Sequence, residues 1–278
     1  MPEQVRMVLY GVLPSIAAAL LLVGAFGTRW LGVAIGVGTF AALGLLRDEL
    51  PALPHVLWAG DNNGLVWFAW CLLAIGAASA ATGPRFPPRW AAISGGIAVL
   101  AGQVWLELTT RRAHMGDAEA VAVHAVAIGT MALVWLGTRR ALAQRGTALQ
   151  AWLLTACLCV DSFLLLAGGS ALQGQLAGAV AAAFGAAAGT ALWRRDFRLD
   201  VAAAWPFAAA HCGLLLAGVQ FGELRLVPAL LAAFAPVPLS FAGPGDEGLG
   251  AGSRVAATAT MTGAMLAIAT GLMIANGS

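Results

Sequence analysis

The chain has 278 residues, of which 60% are hydrophobic and only 10% charged, with a mean hydropathy of +0.84. A soluble domain is nearer half apolar and a quarter charged, so this composition leaves too little polar surface to face water and excludes a soluble globular fold. The net charge of +2 gives no electrostatic footprint for a nucleic-acid partner, and the lipid bilayer is the expected environment.

A membrane-spanning helix needs about 20 mostly apolar residues. In chain order the sequence offers ten such runs, at roughly 6–26, 30–46, 64–82, 90–107, 119–137, 149–168, 175–193, 201–219, 226–242 and 255–275. The N-terminal MPEQVRM leads into the first run with no polar cleavage region, so that run is expected to be a span rather than a signal peptide. Tryptophan marks the ends: Trp30, Trp67, Trp90, Trp152 and Trp205 lie near starts, and Trp105, Trp135 and Trp193 near ends. The indole ring favours headgroup depth, where its N–H stays wet.

The connections carry the charge. Residues 47–63 hold acids, prolines and an Asp61-Asn62-Asn63-Gly64 turn signal, while 243–254 reads as a flexible Gly-rich loop. Every basic side chain is Arg, a residue suited to snorkelling at helix ends. With ten spans, Arg6, Arg47, Arg111, Arg112 and Arg225 fall on one face and all other Arg on the opposite, richer face. The positive-inside rule puts the richer face in the cytoplasm and both termini outside.

The ninth run is interrupted by Pro236 and Pro238. Proline removes a backbone donor and clashes one turn back, so a broken or kinked helix is expected there. Such breaks are tolerated only where protein or water satisfies the freed carbonyls.

The two halves, 1–140 and 141–278, resemble each other. Leu20-Leu21-Leu22-Val23-Gly24 recurs as Leu164-Leu165-Leu166-Ala167-Gly168, and Val121, Ala122, Ala125, Gly129 and Met131 align with Val255, Ala256, Ala259, Gly263 and Met265. Five spans per half would set the halves upside down to each other, the inverted repeat of many secondary transporters. Small residues at Gly32/Gly36 and Gly185/Gly189 allow close helix approach.

Ionisable residues inside a membrane are costly and mark functional positions. Asp161 is the sharpest, within an apolar stretch close to the middle of the sixth run. His211 lies near the centre of the eighth, His124 is in the fifth, and Gln103 and Glu107 close the fourth. Together they outline a polar funnel in which a carboxylate and an imidazole exchange protons, or in which Asp161 anchors a cation or ligand. Cys71, Cys157, Cys159 and Cys212 all fall in apolar runs without a CxxC pair and are expected as small buried hydrophobes. His114, Asp117 and Glu119 collect ligand types without metal-site spacing, and no haem, dinucleotide or Walker signature is present, so neither metal nor cofactor is expected.

The stretch LLLAGGSALQGQLAGAVAAAFGA from Leu164 resembles a segment of uncharacterised Ala/Leu-rich multi-pass membrane proteins of GC-rich bacteria; that resemblance implies a bacterial cytoplasmic membrane and no particular activity. In length and span number the chain is similar to ten-span drug/metabolite transporters, a likeness of architecture alone. The expectation is an all-α polytopic bundle in a single membrane domain, acting as a small-molecule or ion transporter centred on Asp161. Two alternatives stay open. One is a non-catalytic subunit held by a membrane-protein partner. The other is an intramembrane enzyme acting on lipid, for which Asp48, Glu49, His55, Asp61, Glu107 and His114 are the candidate set.

Overall fold

A computed structural model describes residues 9–47, 64–81, 117–144, 146–194, 196–221, 224–241 and 250–277. Among them the chain is helical without strands, as backbone in hydrocarbon must be, since only a helix satisfies its own polar groups there. The helices are α1 (Leu13–Phe26), α2 (Leu31–Arg47), α3 (Gly64–Ala81), α4 (Asp117–Gln144), α5 (Ala148–Ala167), α6 (Ala171–Gly189), α7 (Ala204–Phe221), α8 (Leu226–Phe234) and α9 (Gly250–Gly277). Six helical segments among the described residues are long and apolar enough to cross a membrane: Leu9–Phe26, Thr28–Leu46, Ala148–Ala167, Ala171–Leu192, Val201–Gln220 and Ala256–Ala275. The chain is therefore a multi-pass, membrane-embedded helical protein. The expected span at 90–107 lies outside the described residues.

Helix boundaries depart from the apolar runs where hydropathy and helix propensity part company. α4 continues through Arg139 and Arg140 to Gln144, because Arg, Ala, Leu and Gln are good helix formers whether or not lipid surrounds them. Asp117 and Glu119, at the edge of the fifth run, fall within that helix. Residues 250–254, expected as part of a Gly-rich loop, are helical and belong to α9. α5 starts on a capping box that the apolar pattern does not reveal: the Thr147 hydroxyl accepts from the Gln150 amide and the Gln150 side chain accepts from the Thr147 amide.

Two tight hairpins organise the bundle. α1 turns into α2 at Gly27 (φ 89°) and α5 into α6 at Gly169 (φ 73°), left-handed conformations that glycine adopts without a Cβ clash. The hairpins pack together through α1, α2 and α6. α7 runs through the middle, touching α2, α3, α4, α5, α6 and α8. Of its membrane-length window 89% is buried, against 22% for α1 and 28% for α9.

One end of the bundle is tied by polar and aromatic contacts. Arg194 donates to the Gly24 carbonyl at 2.7 Å, and Arg29 donates to the Ala80 carbonyl. Thr28 donates to the Arg198 carbonyl at 2.6 Å and accepts from the Asp200 amide at 3.1 Å. Trp135 stacks on Trp205 at 4.3 Å, with Arg139 over the Trp135 ring. The C-terminal ends of α1, α3, α4 and α6 and the N-terminal end of α7 therefore meet at this Arg-rich end.

Lipid tails are as apolar as leucine, so helix association depends on close fit rather than on water exclusion. The closest fit is between α2 and α3. A Cβ built on Gly32 would lie 2.9 Å from the Gly76 Cα and 2.6 Å from the Pro206 ring, and one on Gly36 would lie 2.5 Å from the Leu73 Cα. Gly189, by contrast, has open space. Gly36→Ala should therefore push two backbones apart and cost about 1–3 kcal/mol, read as a lowered thermal midpoint in detergent. Gly189→Ala should leave the midpoint unchanged or raise it.

Candidate functional site

The site is built at the one place where the central helix carries a polar side chain in its middle. His211 stands on α7 and Asp161 on α5, and both are fully buried. His211 Nδ1 lies 2.5 Å from Asp161 Oδ2. On the other side of the ring, Nε2 lies 3.1 Å from the Ala232 carbonyl oxygen and 3.2 Å from that of Ala233. Phe207, one turn earlier on α7, stacks on the imidazole at 5.1 Å, and Phe184 of α6 meets Phe207 edge-on at 5.6 Å.

The two carbonyls belong to the broken helix. α8 stops at Phe234, a turn follows at Ala235 and Pro236, and a 3-10 helix runs over Val237–Phe241. In an unbroken helix the Ala232 carbonyl would accept from residue 236, but Pro236 has no N–H. The Ala235 amide reaches back to Ala232 at 3.0 Å, and His211 supplies a second donor. The Ala233 carbonyl, whose helical partner would be the amide of Val237, takes its donor from His211 as well. Pro238 falls within the 3-10 segment, buried against its neighbours.

This geometry settles the ring's protonation on one side. Carbonyl oxygens only accept, so Nε2 carries a hydrogen and shares it between Ala232 and Ala233. The exchangeable proton is then the one between Nδ1 and Oδ2. When present it resides on either atom and the pair is neutral overall; when removed the pair carries one negative charge, and a second proton would give it one positive charge. Asp161 Oδ1 is buried with no hydrogen-bond partner among the described residues.

Of the polar residues that the sequence singles out, the structure brings Asp161 and His211 into direct contact. His124 lies on α4, with its side chain outside the described residues, and Gln103 and Glu107 fall outside them entirely. The Ala232 and Ala233 acceptors are backbone atoms of residues with no chemistry of their own, and only the nearby prolines signal them. Cys157 and Cys212 are buried as expected of small hydrophobes, whereas Cys159 is exposed on the outer face of α5. Among the described residues no three His, Cys, Asp or Glu side chains gather into a metal-binding group. No family model, curated protein or solved structure matches the chain.

Removing one partner from a buried hydrogen-bonded pair leaves the other uncompensated. His211→Leu should cost about 3–5 kcal/mol, measured by chemical or thermal unfolding in detergent. Asp161→Asn should cost much less, because its amide can donate to Nδ1 and leave the Nε2 bonds in place. Asp161→Leu combined with His211→Leu should be less destabilised than the sum of the two single changes.

Proposed function

We propose that this protein is a ten-span secondary transporter of the bacterial cytoplasmic membrane, with both termini outside, moving a small molecule or ion. In this reading the Asp161–His211 pair carries the coupling proton or cation. The observation that carries it is the pair itself, fully buried in the bundle and seated against the open end of a broken helix. Transporters of inverted-repeat architecture bind coupling ions near the midplane in this way, on unwound backbone carbonyls and half-helix ends.

The helix pattern supports the repeat. The α1–α2 and α5–α6 hairpins each turn at a positive-φ glycine, and α2 and α6 begin at residues 31 and 171. α4 and α9 contain the aligned Val121 and Val255 segments. α3 ends at the Arg-rich end of the bundle and α4 begins at the opposite one, which supports the count of ten spans. The likeness in span number to drug/metabolite transporters points the same way.

The mechanism follows from charge. A net charge buried in a bilayer is expensive, so the occluded pair is tolerated when neutral and penalised when the bound proton or cation leaves. The bundle therefore passes through its closed state with the ion bound. Opening toward either side hydrates the pair and allows release.

The test is a thermal-unfolding screen of the purified protein against a panel of metabolites, inorganic ions and pH values, with Asp161→Asn alongside. A ligand of the native state raises the midpoint by mass action. A compound that stabilises the wild type but not Asp161→Asn, and that is then taken up by proteoliposomes, is the expected result. If no compound shifts the midpoint and the protein copurifies with a second membrane protein at fixed ratio, the subunit reading replaces transport.

A further inference from the structure

The oxygens around His211 form an arrangement with a chemistry of its own. Asp161 Oδ2 and the carbonyls of Ala232 and Ala233 line one buried cup from opposite edges of the imidazole ring. The two carbonyls lie at the C-terminal end of α8, where the helix dipole places partial negative charge. Carboxylates and the carbonyl ends of half-helices are the oxygens that ligate coupling cations. Here an imidazole lies between them and takes both, with Phe207 stacked on its face.

We propose that the coupling ion is a proton, because the His211 imidazole lies between Asp161 Oδ2 and the Ala232 and Ala233 carbonyls and takes the oxygens that a metal cation would need. The inference rests on the transport reading for the word coupling, and on geometry alone for the cup. Nε2–H holds the ring against the broken helix, so the ring does not swing away when Nδ1 gains or loses its proton. The proton moves onto and off the Nδ1–Oδ2 contact, with no other atom changing partner. Pro236 is the positioning residue, since a residue with an N–H there would draw Ala232 back into a helical ladder and compete with His211.

The charges around the cup are few. The thiols of Cys157 and Cys159 on α5 and of Cys212 on α7 are the nearby titratable groups, Cys157 and Cys212 buried and Cys159 exposed. α6 and α8 contribute none, α3 brings Cys71, α2 has only Arg47 at its far end, and α9, packed against α5 and α8, has only Arg254 near its start. α4 carries its charges at its two ends, with His124 between.

The experiment uses the full chain in detergent and compares wild type, His211→Ala and the double variant Asp161→Asn/His211→Ala. Replacing choline chloride with sodium chloride at equal ionic strength should leave the wild-type midpoint unchanged. His211→Ala should unfold at a lower temperature, and added imidazole should raise its midpoint by several degrees. Imidazole should not stabilise the wild type, whose cup is filled, or the double variant, which has lost the carboxylate. A wild-type midpoint that rises specifically with sodium, or a folded His211→Ala that imidazole does not stabilise, overturns the proposal. Should His211→Ala fail to fold, sodium added to weakly buffered wild type decides the matter: proton release that Asp161→Asn lacks shows a metal cation competing for the site and overturns it, and no release upholds it. Failure of the transport reading has a different signature. Imidazole rescue with no compound ever taken up leaves the cup intact and removes transport, whereas uptake driven by a sodium gradient and not by a pH gradient keeps transport and removes the proton.

Discussion

The structure depends on one side chain satisfying three helices at once. His211 projects from α7, meets the carboxylate of α5 with one nitrogen and the freed carbonyls of α8 with the other. Each partner is untenable alone in a bilayer. A break in α8 takes the helical donors away from the Ala232 and Ala233 oxygens, and the Ala235 amide makes good only the first, while Asp161 without the imidazole is an isolated buried acid. The three liabilities cancel because they are brought to the same point, so the break, the acid and the histidine are parts of a single feature.

Everything else in the bundle serves to hold that point still. Glycines let α2 and α3 approach to backbone contact, and α7 is thereby enclosed on nearly every side. Phe184 and Phe207 set the plane of the imidazole. At the Arg-rich end, hydrogen bonds from Arg29, Arg194 and Thr28 to backbone carbonyls fix the ends of α1, α3 and α6. These are short-range forces, as they must be where hydrophobic exclusion contributes nothing between helices.

Much of the fold was legible in the sequence because apolar runs of membrane length are hard to mistake, and the Trp positions sharpen their ends. Helix extent was less legible: α4 and α9 run beyond their apolar windows because helix propensity does not stop at the membrane surface. At the site, Asp161 and His211 stood out singly as costly polar residues, and the Pro236 break followed from backbone chemistry. That a carboxylate and an imidazole would meet followed from their similar depth in the membrane, but which histidine meets Asp161 was not legible, since the pair is 50 residues apart and no local pattern encodes a contact between separate helices. The acceptors at Ala232 and Ala233 were invisible for a deeper reason: their role belongs to the peptide unit and any side chain there would carry the same oxygen.

The position of α7 also bears on how the protein is made. Asp161 leaves the ribosome before His211, and the carbonyls of Ala232 and Ala233 leave after it. While α8 is still being synthesised, α7 has one of its two polar partners and lacks the other, so its imidazole N–H has no acceptor in lipid. Final seating of the central helix thus waits for the helix that follows it. The same three contacts that define the site make the last stage of membrane assembly contingent on a correctly broken α8, and a chain that ended before Ala232 would present an incompletely satisfied core to the quality-control machinery of the cell.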